Sequence, residues 1–314
     1  MILINADIAT AAITATFWIA FAHVRAFRLT GGMSSASLDE SLLPHEHERL
    51  SMDEAALRAP TEALRFGFVN SPVGTHGSRT IILMELRLLL AACSASATLQ
   101  DYRSAVIENN ILLKGTAATR RESFRRLREL YALSGDALLF RALRELWTDR
   151  DAQPLLALLC ACARDPLLRA TAGTILITPL HAPVTPHMLS RAVDEVFPGR
   201  YNPTSLANIG RHTASSWKQS GHVRGRLRAI RSAAASQPTT VAYALLLGYL
   251  CGARGDALFE TLWARLLDAP VYVLRNQAVA ASHLGWIDYR HSGDVTDIGF
   301  RHFLVESKVG RPDE

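Results

Sequence analysis

Apolar residues recur at helical spacing through most of this chain. Residues 81–90, Ile-Ile-Leu-Met-Glu-Leu-Arg-Leu-Leu-Leu, are apolar nearly all round, the pattern of a helix covered on every side. This predicts a first long helix over 79–94 and a shorter one over 99–109. Further on, Phe124, Leu127, Leu130 and Tyr131 share one face by their three- and four-residue spacing. Thr119-Arg-Arg-Glu122 precedes that face and reads as a capping box, with Thr119 as N-cap and Glu122 three residues on. Ser134-Gly-Asp136 makes a break. Leu/Ala-rich helices follow over 137–147, 152–162 and 166–176, joined by short connections as in an antiparallel bundle. Thr185 caps another helix that runs through Val196 and stops at Pro198-Gly199.

The pattern then changes. Asn202 or Thr204 can cap a helix through Gly210, and Thr213 or Ser215 can start or continue a second one that ends at Gly221. Helix, glycine, helix, glycine, followed by His222-Val-Arg-Gly-Arg226, predicts a helix-turn-helix with a wing-like element. A helical hairpin with a cationic rim is the alternative. Apolar helices return over 241–251, 258–267 and 271–284, where Gly285 ends the run. Trp286-Ile-Asp-Tyr289 and Val295-Thr-Asp-Ile298 alternate around a Ser-Gly turn, so a β-hairpin closes the pattern. It is expected to hold the only strands. The predicted class is all-α: a multi-helix bundle with helix-turn-helix or winged-helix-like elements and one short C-terminal hairpin.

Composition agrees with that class. The 314 residues are 49% apolar and 20% charged, and Ala and Leu dominate while aromatics are sparse. The chain is long enough for two domains. The expected division is an extension over 1–32, non-native or flexible, a polar and loosely ordered segment over 33–78, a helical bundle over 79–200, and a C-terminal helical domain over 201–314. The apolar run 8–22 is short for a membrane span, is broken by Thr10, Thr14 and Thr16, and has Arg25 and Arg28 on the wrong side for a signal peptide. Cys93, Cys160, Cys162 and Cys251 sit in apolar contexts without zinc-ligand spacing. They read as buried free thiols of a cytoplasmic protein.

Charge is distributed unevenly. Residues 202–231 hold Arg211, Lys218, Arg224, Arg226, Arg228 and Arg231, with His212 and His222, and no Asp or Glu. Six cations without an acid account for the whole formal excess of +5. Like charges repel, so a concentrated cationic patch points to an anionic partner. In a helix-turn-helix geometry His212, Ser215, Ser216 and Lys218 would face a groove and Trp217 would face inward. A second cationic surface is expected where Arg120, Arg121, Arg125, Arg126 and Arg128 lie mostly off the apolar face of their helix.

Little in the sequence looks catalytic. Val73-Gly-Thr-His-Gly77 lacks the Lys-Ser/Thr of a phosphate loop, and no Gly-x-Ser-x-Gly elbow occurs. His45-Glu-His-Glu48 alternates strictly in a Pro-led loop and puts no two histidines on one helical face. The carboxylates are scattered. No catalytic residue, cofactor or metal ligand is expected.

Two stretches carry a family resemblance. They are Ile107-Glu-Asn-Asn-Ile-Leu-Leu-Lys114, continued by Thr116-Ala-Ala-Thr-Arg-Arg-Glu-Ser-Phe-Arg-Arg-Leu-Arg128, and Thr204-Ser-Leu-Ala-Asn-Ile-Gly-Arg-His-Thr-Ala-Ser-Ser-Trp-Lys-Gln-Ser-Gly221. Together with Gly285-Trp-Ile-Asp-Tyr-Arg290 and Asp294-Val-Thr-Asp-Ile298 they resemble the BrxA family of the BREX phage-defence systems, loosely over residues 78–304. The long front (1–77) and a helical block near 233–268 depart from compact members. The resemblance implies an all-helical, NusB-like protein without catalytic activity that binds duplex DNA beside methylase, ATPase and phosphatase subunits. Proteins of this kind have also been described as inner-membrane proteins, but no uninterrupted run past residue 32 is long enough to span.

The expectation is therefore a non-enzymatic DNA-binding accessory protein of a bacterial defence system. Its arginines would dock on phosphates with little sequence preference, its partners would be double-stranded DNA and other defence subunits, and it would need no membrane. An adaptor that meets an acidic protein partner, and a nuclease with dispersed ligands, are the other readings.

Overall fold

Two helices with no polar face set the architecture. They are α6 (Gln153–Arg164) and α11 (Pro238–Leu250), whose residues 155–163 and 239–248 are buried without interruption. A helix that is apolar on every side must be surrounded, and other described elements pack around these two. In a computed structural model, residues 58–304 apart from Asp294 are described, all within one compact unit. The expected extension over 1–32 and the His45–Glu48 stretch lie outside the described residues.

In chain order the helices before α6 are α1 (Thr61–Leu64), α2 (Leu83–Ala92), α3 (Leu99–Ile107), α4 (Ala117–Tyr131) and α5 (Leu138–Leu146). After it come α7 (Pro166–Ala170), α8 (Ala172–Ile177), α9 (Pro186–Val196) and α10 (Pro203–Gln219). A first hairpin pairs β1 (Val223–Arg224) with β2 (Ile230–Arg231). Then follow α11, α12 (Leu262–Arg265) and α13 (Val271–His283), a second hairpin of β3 (Asp288–Ser292) and β4 (Val295–Gly299), and α14 (Arg301–Leu304). The fold is an all-α bundle with the expected C-terminal hairpin, registered Tyr289 to Ile298 and Arg290 to Asp297. The β1–β2 pair sits where the wing-like element was expected, so the C-terminal strands are not the only ones.

Several local expectations are corrected. The capping box of α4 is Thr116 with Thr119, one turn earlier than Thr119 with Glu122. The Thr119 hydroxyl serves as the returning group, which leaves Glu122 to its neighbouring arginines. The helix expected over 166–176 is two, α7 and α8, divided at Thr171. That over 258–267 is a 3-10 turn (Gly255–Glu260) followed by the four-residue α12.

The main correction concerns the helix-turn-helix. Residues 203–219 form one continuous helix, α10, capped by the Asn202 side chain on the Ser205 N–H. Gly210 does not break it. A Cβ there would lie 2.3 Å from the Pro186 carbonyl oxygen, so glycine is required where the start of α9 crosses α10 closely.

The segment 58–78 is fastened to the bundle. Phe68 is buried edge-on against Trp263. The buried Arg169 donates to the carbonyls of Cys162 and Val69, and to Asn70 Oδ1 at 2.9 Å. None of the described helices is long and apolar enough to cross a membrane.

Candidate nucleic-acid interface

Helix α10 and the β1–β2 hairpin separate the 202–231 cations into three environments. Along α10, Arg211, Ser215 and Lys218 follow at spacings of four and three and face outward: Arg211 and Lys218 are exposed and Ser215 half-exposed. Arg211 bonds Asn208, one turn back on the same face. At the hairpin, Arg224, Arg226 and Arg228 are exposed. Arg224 lies 3.3 Å from His181 Nδ1.

Arg231 belongs to the core. It is 3% exposed. Its guanidinium clamps the Asp268 carboxylate through two N–H groups, one at 2.7 Å, and donates to the Ile175 carbonyl at 2.8 Å. It therefore does not join the exposed cations, contrary to the expectation from sequence. A buried guanidinium needs a paired acid and carbonyl acceptors, and here it has both. Of the six cations in 202–231, only Arg231 meets a carboxylate among the described residues.

Ser216, expected to face a groove, is fully buried. Its Oγ accepts from the Ile81 N–H at 3.0 Å, contacts His76 Nε2 at 2.8 Å and lies 2.9 Å from the His212 carbonyl. His76 Nδ1 in turn faces Asp165 Oδ2 at 2.7 Å. Burial alone would raise the Asp165 carboxyl. The charge of His76, its ring and backbone N–H groups and the Leu167 N–H outweigh burial and hold the group below its ordinary value. The order serine, histidine, aspartate has the spacing of a nucleophile relay, but all three side chains are closed to solvent. As placed, no substrate carbonyl reaches Ser216 Oγ. Sequence reading missed this cluster, since its members lie 89 and 140 residues apart.

His212 is half-buried and directs Nδ1 at the His76 carbonyl, 3.1 Å away. Burial lowers its pKa, the His76 carbonyl offsets part of that, and the nearby charges of His76, Arg211 and Arg79 lower it further. It therefore carries little charge at neutral pH.

Helix α4 yields fewer free cations than its composition promises. Arg120 donates to the Ile107 carbonyl at 2.8 Å. Arg125 and Arg126 both pair with Glu122 and Glu129. Arg121 and Arg128 are exposed and have no carboxylate partner among the described residues. A cleft of about 660 Å³ joins the two regions: Ser123 and Arg126 come from α4, His212 and Gln219 from α10, and Arg79 and Lys114 from the connecting segments. Arg79 is exposed, while Lys114 pairs with Glu85 at 3.1 Å.

The floor of the cleft includes Ile82 at φ 42°, a left-handed backbone that a β-branched residue rarely adopts. It is held from several sides. Tyr131 donates to the Ile81 carbonyl, Thr80 Oγ1 accepts from the Ile82 N–H, and Gln219 Oε1 accepts from the Leu83 N–H.

No group of three or more metal-ligating side chains occurs among the described residues. Burial raises the thiols of Cys160 and Cys251 to about 11. Neither a protein-family model nor a curated protein matches this chain.

Proposed function

We propose that this protein docks on duplex DNA as a non-enzymatic accessory protein. One observation carries the reading. Five of the six cations in the acid-free stretch 202–231 stay free of carboxylates among the described residues, on the outer face of α10 and on the hairpin that follows it. Five outward cations unrelieved by acid attract a phosphate backbone. A helix stripe followed by a small hairpin fits the layout of winged DNA binders. The revised docking set is Arg211, Ser215, Lys218, Arg224, Arg226 and Arg228. Arg79, which lines the cleft, adds to it, and Arg121 and Arg128 are further exposed cations on another face of α4.

The resemblance to the BrxA family supports placing this activity in a bacterial anti-phage system beside other defence subunits. Contacts of this kind grip phosphates and read few bases, so sequence preference is weak.

The test is a salt titration of binding to a random duplex by the full chain. The slope of log affinity against log salt falls by roughly 0.9 for each phosphate contact removed. Replacing Arg224, Arg226 and Arg228 together with Ala is expected to flatten it by about 2.7. An unchanged affinity and slope would defeat the reading, and co-purification with an acidic protein in place of DNA would favour an adaptor.

A further inference from the structure

Leu227 is 99% exposed, the most exposed large apolar side chain among the described residues. It stands between Arg226 and Arg228, both exposed and without a carboxylate partner among the described residues. Water gains nothing from an isolated leucine at the tip of a projection. A leucine flanked by guanidinium groups suits a surface that is apolar within and anionic at its edges. Stacked base pairs between two phosphate chains are such a surface.

The base of this finger is built to resist force. Val223 pairs with Arg231 and Arg224 with Ile230. A third stretch joins the ladder: Val184 N–H donates to the Ala229 carbonyl, Arg231 N–H to the Ala182 carbonyl, and His181 N–H to the Arg231 carbonyl, at 2.9–3.0 Å. Val223 is buried, and the Arg231 guanidinium is bound to Asp268 in the core. At the tip the chain turns tightly. Gly225 has φ +100°, and a Cβ there would meet the Arg228 carbonyl oxygen at 1.9 Å. Ala229 is held in the ladder and Gly225 packs on the Arg228 carbonyl, so Arg226, Leu227 and Arg228 form the tip, and their long side chains supply the reach into a minor groove ~7.5 Å deep.

We infer that the β1–β2 hairpin enters the minor groove of duplex DNA, seats Arg226 and Arg228 on the flanking phosphates, and wedges Leu227 between two base pairs, kinking the duplex. This rests on the DNA-docking reading and adds what the tip does. Apolar wedges of this kind unstack a base step and bend the duplex toward the major groove. Flexible pyrimidine–purine steps would yield most easily. The protein would thus favour deformable sites without reading their bases.

The experiment uses the full chain and a short duplex with 2-aminopurine at several TA and CA steps and a fluorophore pair at its ends. Binding of the unaltered protein is expected to raise 2-aminopurine emission several-fold and to shorten the end-to-end distance. Leu227→Ser, at a position without packing contacts to lose, is expected to abolish both signals. Leu227→Met is expected to keep them. Binding by the unaltered protein with neither signal would overturn the wedge and leave docking intact. Absence of binding at low salt would overturn both. Leu227-dependent binding to phosphatidylserine vesicles in the absence of DNA binding would also overturn both, and make the tip a lipid contact.

Discussion

His76 and Asp165 face each other at 2.7 Å with neither side chain open to solvent, and the Asp165 carboxylate also accepts from the His76 and Leu167 backbone N–H groups. One acid thereby fixes the turn that carries His76 and the start of α7. Asp165→Ala would leave these donors buried and unmet, at a cost of about 3–5 kcal/mol of folding stability. Because the native carboxyl titrates below its ordinary value, its contribution is complete above about pH 3.9 and fades as the pH falls further. Acid unfolding followed by circular dichroism should show a shallower transition in Asp165→Asn than in the unaltered protein.

The same cluster bears on Ser216. With its Oγ enclosed, a serine-directed fluorophosphonate should leave Ser216 unlabelled in the folded protein, as mass spectrometry would show. Ser216→Ala should lower stability by about 1–3 kcal/mol, since the Ile81 N–H loses its acceptor. Rapid stoichiometric labelling at Ser216 would mean that the site opens.

His222 offers a separate pH dependence. It is buried between Ser220 and the Leu266 carbonyl, edge-on to Trp217. Burial pulls its pKa down to about 4, against smaller opposing effects of Asp268 and the Leu266 carbonyl. The unfolded chain takes up that proton near pH 6.5 and the native one only near 4, so stability falls as the pH drops across this window. The loss is about 3 kcal/mol. Urea unfolding at pH 7 and pH 4.5 should show it, and His222→Gln should flatten the difference.

Gly210 tests helix packing against helix propensity. Alanine is intrinsically better in a helix by about 1 kcal/mol. Its Cβ, however, would press on the Pro186 carbonyl at 2.3 Å, and overpacking of this kind costs about 1–3 kcal/mol. Gly210→Ala is expected to destabilise the protein in thermal unfolding. A stabilised variant would show that α9 yields freely.

Arg231 and the tip arginines should separate cleanly. Arg231→Ala strands Asp268 and should cost about 3–5 kcal/mol in denaturant unfolding. Replacement of Arg226 and Arg228 with Ala should leave the unfolding midpoint unchanged and flatten the salt slope of DNA binding by about 1.8.

The helical class was legible because apolar spacing is a local signal, and so was the C-terminal hairpin, where Trp286-Ile-Asp-Tyr289 and Val295-Thr-Asp-Ile298 flank a Ser-Gly turn. The single helix α10 was not. Gly210 carries the same letter as a helix breaker, and only the approach of Pro186, 24 residues earlier, explains it. The start of α4 was ambiguous because Thr116 and Thr119 can each cap, and the choice went to the box they form together. Counting charges located the cationic stretch but could not identify the occupied members. Arg231 finds Asp268 from 37 residues away, and Arg125 and Arg126 share two acids on their own helix.

Asp268 has one further effect. It follows the short α12 and takes a left-handed backbone (φ 54°) to reach Arg231 and the Ala234 N–H. The finger thus borrows its stiffness from a bend more than thirty residues downstream. Lesions at 262–268 would therefore slacken the root of the hairpin and weaken the bundle together, since Trp263, Ala264, Leu266 and Leu267 are buried in the core.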